Sequence, residues 1–181
     1  MFLDGVNFAL HYKGIRGRFI EYFKSEEFVF YVKVIAVGTL LLMLFNSLGG
    51  VYANITENFR YSIFQGVSLT TTTGYCTADF DQWPQFCRLT LVVLMFFGGC
   101  AGSTGGGMKH ARIMLLWRYL KMQLFQLVHP RSVKTLKMQG EKVPRDVMQS
   151  ILGFFFLYIF IFIVASLIVS AQGLDLETAT T

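Results

Sequence analysis

From Ser150 to Ala171 the chain reads SILGFFFLYIFIFIVASLIVSA, without one charged residue. At about 1.5 Å per residue such a stretch covers about 30 Å as a helix, the thickness of a bilayer's hydrocarbon. A second run, VIAVGTLLLMLFNSLGGVYA from Val34 to Ala53, is also long enough to span, and Lys33 at its inner end can snorkel. Together they commit the chain to a membrane, where every backbone polar group at depth needs a partner in the protein or in enclosed water. Composition agrees, since 54% of the 181 residues are hydrophobic, above the roughly 45–50% of a soluble domain.

The distribution of charge gives the orientation. Of the 16 Lys and Arg, Lys13, Arg16, Arg18, Lys24 and Lys33 precede the first run. Lys109, Arg112, Arg118, Lys121, Arg131, Lys134, Lys137, Lys142 and Arg145 lie ahead of the last, leaving only Arg60 and Arg88 elsewhere. This alternation follows the positive-inside rule and puts the basic segments in the cytoplasm. The net charge of +5 therefore belongs to a lipid bilayer, and no nucleic acid is expected as partner. Cys76, Cys87 and Cys100 form no CxxC pair and His11, His110 and His129 are scattered, so no metal or redox centre and no covalently bound cofactor is expected.

Between the two runs the pattern changes. NITENFRYSIFQGVSLTTTTG opens polar and reads as a helix over 57–70, with Thr56 as N-cap and Glu57 in its first turn. At about 20 Å it is too short to cross, so it is expected to enter the membrane and return through the strand 71–76. Pro84 then opens a second apolar stretch, 84–125, interrupted by GGCAGSTGGG. The expected organisation is a cytoplasmic interfacial linker over 1–33, then a repeat over 34–125. That repeat comprises a span (34–53), a short helix (57–70), a polar strand (71–76) and a broken span (84–125). A basic cytoplasmic loop comes next over 126–147, with a hairpin around Gln139-Gly140. The segment 148–181 holds the first span and the start of the short helix of a second repeat, where Glu177 corresponds to Glu57. The fold class is all-α integral membrane.

A threonine-rich strand at membrane depth must be buried or line water. Consecutive carbonyls aimed at an axis can replace a cation's hydration shell, and a glycine permits the backbone angles that aim them. Thr72, Thr73, Gly74 and Tyr75 align with the Thr-Val-Gly-Tyr of a potassium-selective strand, although Cys76 stands where the second channel glycine would be. The short helix would direct its partly negative C-terminus at the same cavity. Asp79 and Asp81 beyond the strand either concentrate cations or are plain solvated carboxylates.

In the glycine-rich segment, Gly98, Gly99, Gly102, Ser103, Thr104, Gly105, Gly106 and Gly107 each weigh against helix, the glycines by about 1 kcal/mol apiece. The helix is expected to break there, and a loop beneath a filter is a candidate gate. Close helix packing is the plainer use of such residues. A phosphate-binding loop fits only up to Gly107, because Met108 stands where lysine is required and His110 replaces the hydroxyl. A membrane-embedded nucleotide- or phosphate-binding enzyme is thus the rival class. Lys109 and Arg112 are expected to anchor the inner half-helix at the cytoplasmic boundary.

The motifs GVNFALHY, TTTGY, FFGGCAGSTGGGMK and HPRSV, in this order and spacing, together resemble the Trk/Ktr/HKT potassium-transport superfamily, and within it the bacterial Trk-type uptake subunits. The resemblance covers nearly the whole chain. It implies a potassium-channel-like pore of four non-identical repeats, of which this chain holds the third and the start of the fourth. It implies potassium as substrate, coordinated at Thr72, Thr73, Gly74 and Tyr75, with residues 98–107 as an intramembrane gate loop. It further implies a multi-pass protein of the bacterial inner membrane, a homodimer when complete, and a cytoplasmic nucleotide-binding regulatory subunit as partner. Transport, either as symport with protons or sodium or as channel-like flow, replaces enzymatic chemistry.

Overall fold

The structure, a computed structural model, describes residues 1–130, 132 and 135–171. It divides into two compact units, Met1–Ala111 and Arg112–Thr181. The first holds α1 (Phe8–Ile15), α2 (Ile20–Lys24), α3 (Glu26–Leu48), α4 (Ile55–Thr70) and α5 (Gln85–Phe97). Helix α6 (His110–Val128) starts in the first unit and continues into the second, which also carries strands β1 (Lys137–Met138) and β2 (Glu141–Lys142) and helix α7 (Arg145–Ser170).

Helices α3 and α7 are long and apolar enough to cross a membrane. Helix α3 begins at Glu26, ahead of the expected Val34. The Ser25 hydroxyl caps it by accepting from Phe28 N–H at 3.4 Å, and Glu26 and Glu27 suit the positive end of its dipole. It stops at Leu48, short of Ala53, because Gly49 and Gly50 come next and Gly50 adopts φ +65°. Its buried positions, Glu27, Tyr31, Ile35, Gly38, Thr39, Leu42 and Asn46, recur at helical spacing and form one face. Gly38 lets that face meet α5, since a Cβ there would lie 2.9 Å from a Leu94 methyl. On other faces Val37, Leu40, Leu44 and Leu48 are exposed, as expected of helix surface that meets lipid.

The interior of this unit is unusually polar. Asn58, Ser62, Gln65, Ser68, Thr70 and Thr71 are all buried along α4, and most of their polar groups are satisfied locally. The Asn58 amide donates to the Met43 carbonyl and the Ser47 hydroxyl, both at 2.9 Å, and accepts from Ser62 at 3.0 Å. This knot joins α4 to α3. Asn58→Ala in the complete protein should lower stability by about 1–2 kcal/mol, the worth of the bonds lost. Thermal unfolding in detergent measures it, and an unchanged midpoint would show the knot to be dispensable.

Helix α4 is capped by Asn54, whose side chain accepts from Thr56 N–H at 3.0 Å, and not by Thr56 itself. The expected stretch 84–125 is two helices, α5 and α6, separated by 98–109. The first residues are less of a linker than expected. Ile15, Phe19, Ile20 and Phe23 are exposed as an interfacial segment would be, but Val6 is 0% exposed and joins Leu10, Tyr31, Ile35, Val67 and Cys100 in one core cluster.

In the second unit, Leu115 packs with Met148 and Ile151. The hairpin expected around Gln139-Gly140 is present, pairing Lys137 with Lys142 and Met138 with Glu141. Both turn residues have positive φ, 51° and 87°, the geometry of a two-residue hairpin turn. The Arg112 guanidinium lies 4.2 Å from the Phe154 ring centroid, and Arg118 donates to the Lys137 carbonyl. Gln172 to Thr181, including Glu177 and the expected start of another short helix, lie outside the described residues.

Candidate functional site

Helix α4 ends at Thr70, and its last turn shapes the segment from Thr71 to Cys76. Thr70 and Thr71 hydroxyls bond back to the Gly66 and Val67 carbonyls at 2.7 and 2.8 Å. The Thr71 N–H continues the ladder to Val67, and Thr72 N–H reaches Leu69 at 3.1 Å. The chain then turns sharply. Thr72 adopts φ +55°, where a β-branched residue is strained by about 1–3 kcal/mol. Gly74 lies two residues on at φ +77°, with nothing within 4 Å of a Cβ placed there. The four expected coordinating residues, Thr72, Thr73, Gly74 and Tyr75, thus form one short irregular segment beyond the α4 C-terminus, with two residues in the left-handed region. Thr72, Gly74 and Tyr75 are exposed on the unit's surface and Thr73 is half-buried.

The glycine-rich loop lies directly against this segment. Gly106 N–H donates to the Thr72 hydroxyl at 2.6 Å, and a Cβ on Gly105 would lie 3.1 Å from the Thr71 carbonyl. At both places the packing is tight, and a Cβ would require its neighbour to give by a few tenths of an ångström. Within the loop, Gly98 and Gly107 touch closely enough that a Cβ on Gly107 would sit 2.9 Å from Gly98 Cα, and both have positive φ. The Lys109 ammonium reaches back to the Ser103 carbonyl at 3.2 Å and to the Gly105 carbonyl. It closes the loop on itself, a nearer task than the boundary anchoring expected from sequence.

Two further elements hold the loop. The buried Glu27 carboxylate, 4% exposed, accepts from Ala101 N–H and, at 3.2 Å, from Ala111 N–H at the start of α6. The segment before α1 supplies the rest. Cys100 N–H donates to the Gly5 carbonyl at 2.7 Å, the Gly102 carbonyl accepts from Phe8 N–H at 3.0 Å, and Thr104 donates to the Asp4 carbonyl at 3.2 Å. At the far end His110 is wholly buried, its ring 5.2 Å from Tyr31, 5.6 Å from Phe30 and 5.8 Å from Phe97. The loop's N–H groups at Cys100, Ala101 and Gly106 are therefore already given to protein acceptors. A phosphate cradle needs its donors open, and these three are not.

All eight expected loop residues, from Gly98 and Gly99 through Gly102, Ser103, Thr104, Gly105, Gly106 and Gly107, fall in this one segment between α5 and α6. Asp79 caps the short turn Phe80–Gln82, accepting from Asp81 N–H and the Gln82 amide. Glu27, Gln65 and Ser68 are parts of the site that no sequence motif marks, and the motif GVNFALHY marks residues 5–8 without showing that they hold the loop.

Comparison with known proteins matches this arrangement. The family model of TrkH cation transport proteins fits residues 26–181. The Trk system potassium uptake protein TrkH of Escherichia coli (strain K12) is 35% identical over 180 residues, covering 97% of this chain and 36% of that protein. TrkG of the same organism is 32% identical over 178 residues, covering 98% and 36%. The crystal structure of the potassium transporter TrkH from Vibrio parahaemolyticus superposes with a TM-score of 0.90 at 36% identity, over 99% of this chain and 39% of that one. The chain thus spans little more than a third of the length of these relatives. Its match to a family model over most of its residues, and to a solved fold over nearly all of them, makes it a membrane protein that belongs to the TrkH family of cation transport proteins.

Proposed function

We propose that this chain forms the third repeat, and the opening of the fourth, of a potassium-uptake pore in the bacterial inner membrane. Thr72, Thr73, Gly74 and Tyr75 form this repeat's share of a selectivity filter, where backbone carbonyls replace the ion's hydration shell. Residues 98–107 form a gate that closes the path beneath it. The single observation carrying this reading is the bond from Gly106 N–H to the Thr72 hydroxyl. This contact between the glycine-rich loop and the first proposed filter residue supports reading the loop as the blocking element. Potassium as the substrate is supported by the names of the relatives, which are potassium uptake proteins and a potassium transporter. A homodimer, a cytoplasmic nucleotide-binding regulatory subunit and a multi-pass topology in the inner membrane belong to the same reading, on the strength of the family resemblance.

The test is tracer uptake into proteoliposomes under potassium or sodium gradients. The complete protein should pass potassium in preference to sodium. The 181-residue chain alone should pass neither, because one strand leaves a desolvated ion short of oxygens. Equal flux of both ions through the complete protein, or potassium current from the isolated chain, contradicts the proposal.

A further inference from the structure

Gln65 and Ser68 sit one turn apart on α4, both 0% exposed, and both face the strand from behind. The Ser68 hydroxyl donates to the Tyr75 carbonyl at 2.6 Å. Ser68's own carbonyl accepts from Thr73 N–H at 2.9 Å and from Gly74 N–H at 3.4 Å. The Gln65 amide donates to the Cys76 sulfur at 3.2 Å. From Thr73 to Cys76, then, every residue of the strand has a bond to one of these two helix positions. On the inner side the Thr71 and Thr73 hydroxyls, 2.8 Å apart, complete the attachment.

We infer that Gln65 and Ser68 are positioning residues that set ion selectivity: they brace the outer half of the strand against α4 and commit the Tyr75 carbonyl to Ser68. The inference rests on the filter reading of Thr72 to Tyr75. Selectivity by coordination depends on how firmly the oxygens are held at a spacing that suits the larger ion. A strand with two buried polar anchors resists contracting onto a smaller one. The short hydrogen bond from Ser68 occupies one of the two lone pairs of the Tyr75 carbonyl and fixes that oxygen's direction. The brace also accounts for Cys76: a thiol there accepts from Gln65, which a glycine cannot do, so the side chain restores rigidity where the second channel glycine is missing.

A purely structural role for the two side chains would lower the flux of both ions alike, so the readout is their ratio. In the complete protein reconstituted in proteoliposomes, Ser68→Ala should lower the potassium-to-sodium ratio about three- to tenfold, the worth of one buried hydrogen bond. Gln65→Leu, which breaks the second anchor, should shift it in the same direction. Ser62→Ala is the control, since Ser62 is equally buried on α4 but bonds Asn58; its ratio should stay at the wild-type value. Gly74→Ser, measured alongside, reports on the filter itself. If Gly74→Ser lowers the ratio while Ser68→Ala and Gln65→Leu leave it unchanged, the brace is overturned and the filter stands. If none of the three changes it, the filter reading falls and the brace with it. A shift in Ser62→Ala equal to that of Ser68→Ala also overturns the brace. Should Ser68→Ala fail to fold, Gln65→Leu carries the test with the same outcomes.

Discussion

Gly74→Ser in the complete protein should cut the preference for potassium over sodium about tenfold while leaving the protein folded. Gly74 has φ +77° and open space where a side chain would go, so serine meets no steric obstacle. Its cost is conformational, about 1–2 kcal/mol for an L-residue in the left-handed region. Every 1.4 kcal/mol is worth a factor of about ten. The strand relieves that strain by rotating toward negative φ, which swings the peptides on either side of Gly74 and redirects their carbonyls. Thr72, already at φ +55°, has little freedom to compensate, being held by Gly106. Flux under each gradient, normalised to folded protein, measures the effect. A variant with wild-type flux and wild-type ratio would remove Gly74 from the filter.

The parts of this protein that are legible in its sequence are those set by local rules. The two long helices come from uninterrupted apolar runs, and the break between α5 and α6 from glycines that no helix tolerates in such number. The hairpin at Gln139-Gly140 comes from its turn residues. The parts that are not legible depend on distant partners. Glu27 looks like an ordinary helix-start carboxylate, but its acceptor role is defined by Ala101 and Ala111, 74 and 84 positions away. Asp4 and Thr104, 100 positions apart, make the early residues part of the loop's support where composition suggests only an interfacial linker. The cap of α4 departs from expectation for a smaller reason. Asn54 and Thr56 both suit the position, and only the backbone path decides that Asn54 reaches the Thr56 N–H. Ser68 and Gln65 give no signal at all, because a buried serine or glutamine in a polar helix face is explained as well by ordinary packing.

Deleting Ala101–Gly106 from the complete protein should raise potassium flux measured without the proposed regulatory subunit by about tenfold or more, and should flatten any response to that subunit. The loop is closed by bonds that the deletion removes together: Ala101 to Glu27, Gly102 to Phe8, Thr104 to Asp4 and Gly106 to Thr72. At about 0.5–1.5 kcal/mol each, losing even two of them shifts a closed-to-open equilibrium by an order of magnitude. Glu27→Gln loosens the same loop without shortening it: one carboxylate oxygen accepts from both Ala101 and Ala111 N–H, and a neutral amide oxygen in its place accepts more weakly because the charge is gone; a smaller rise in the same direction is expected. A packing role predicts the reverse. Gly98 and Gly107 make backbone contacts too close for a side chain, and if those contacts served only to join helices, removing the loop would loosen α5 and α6 and lower folded yield and flux together. Uptake with and without the regulator, on protein that elutes as a single folded species, separates the two. A well-folded deletion that kept full dependence on the regulator would leave the loop as packing and place the gate elsewhere.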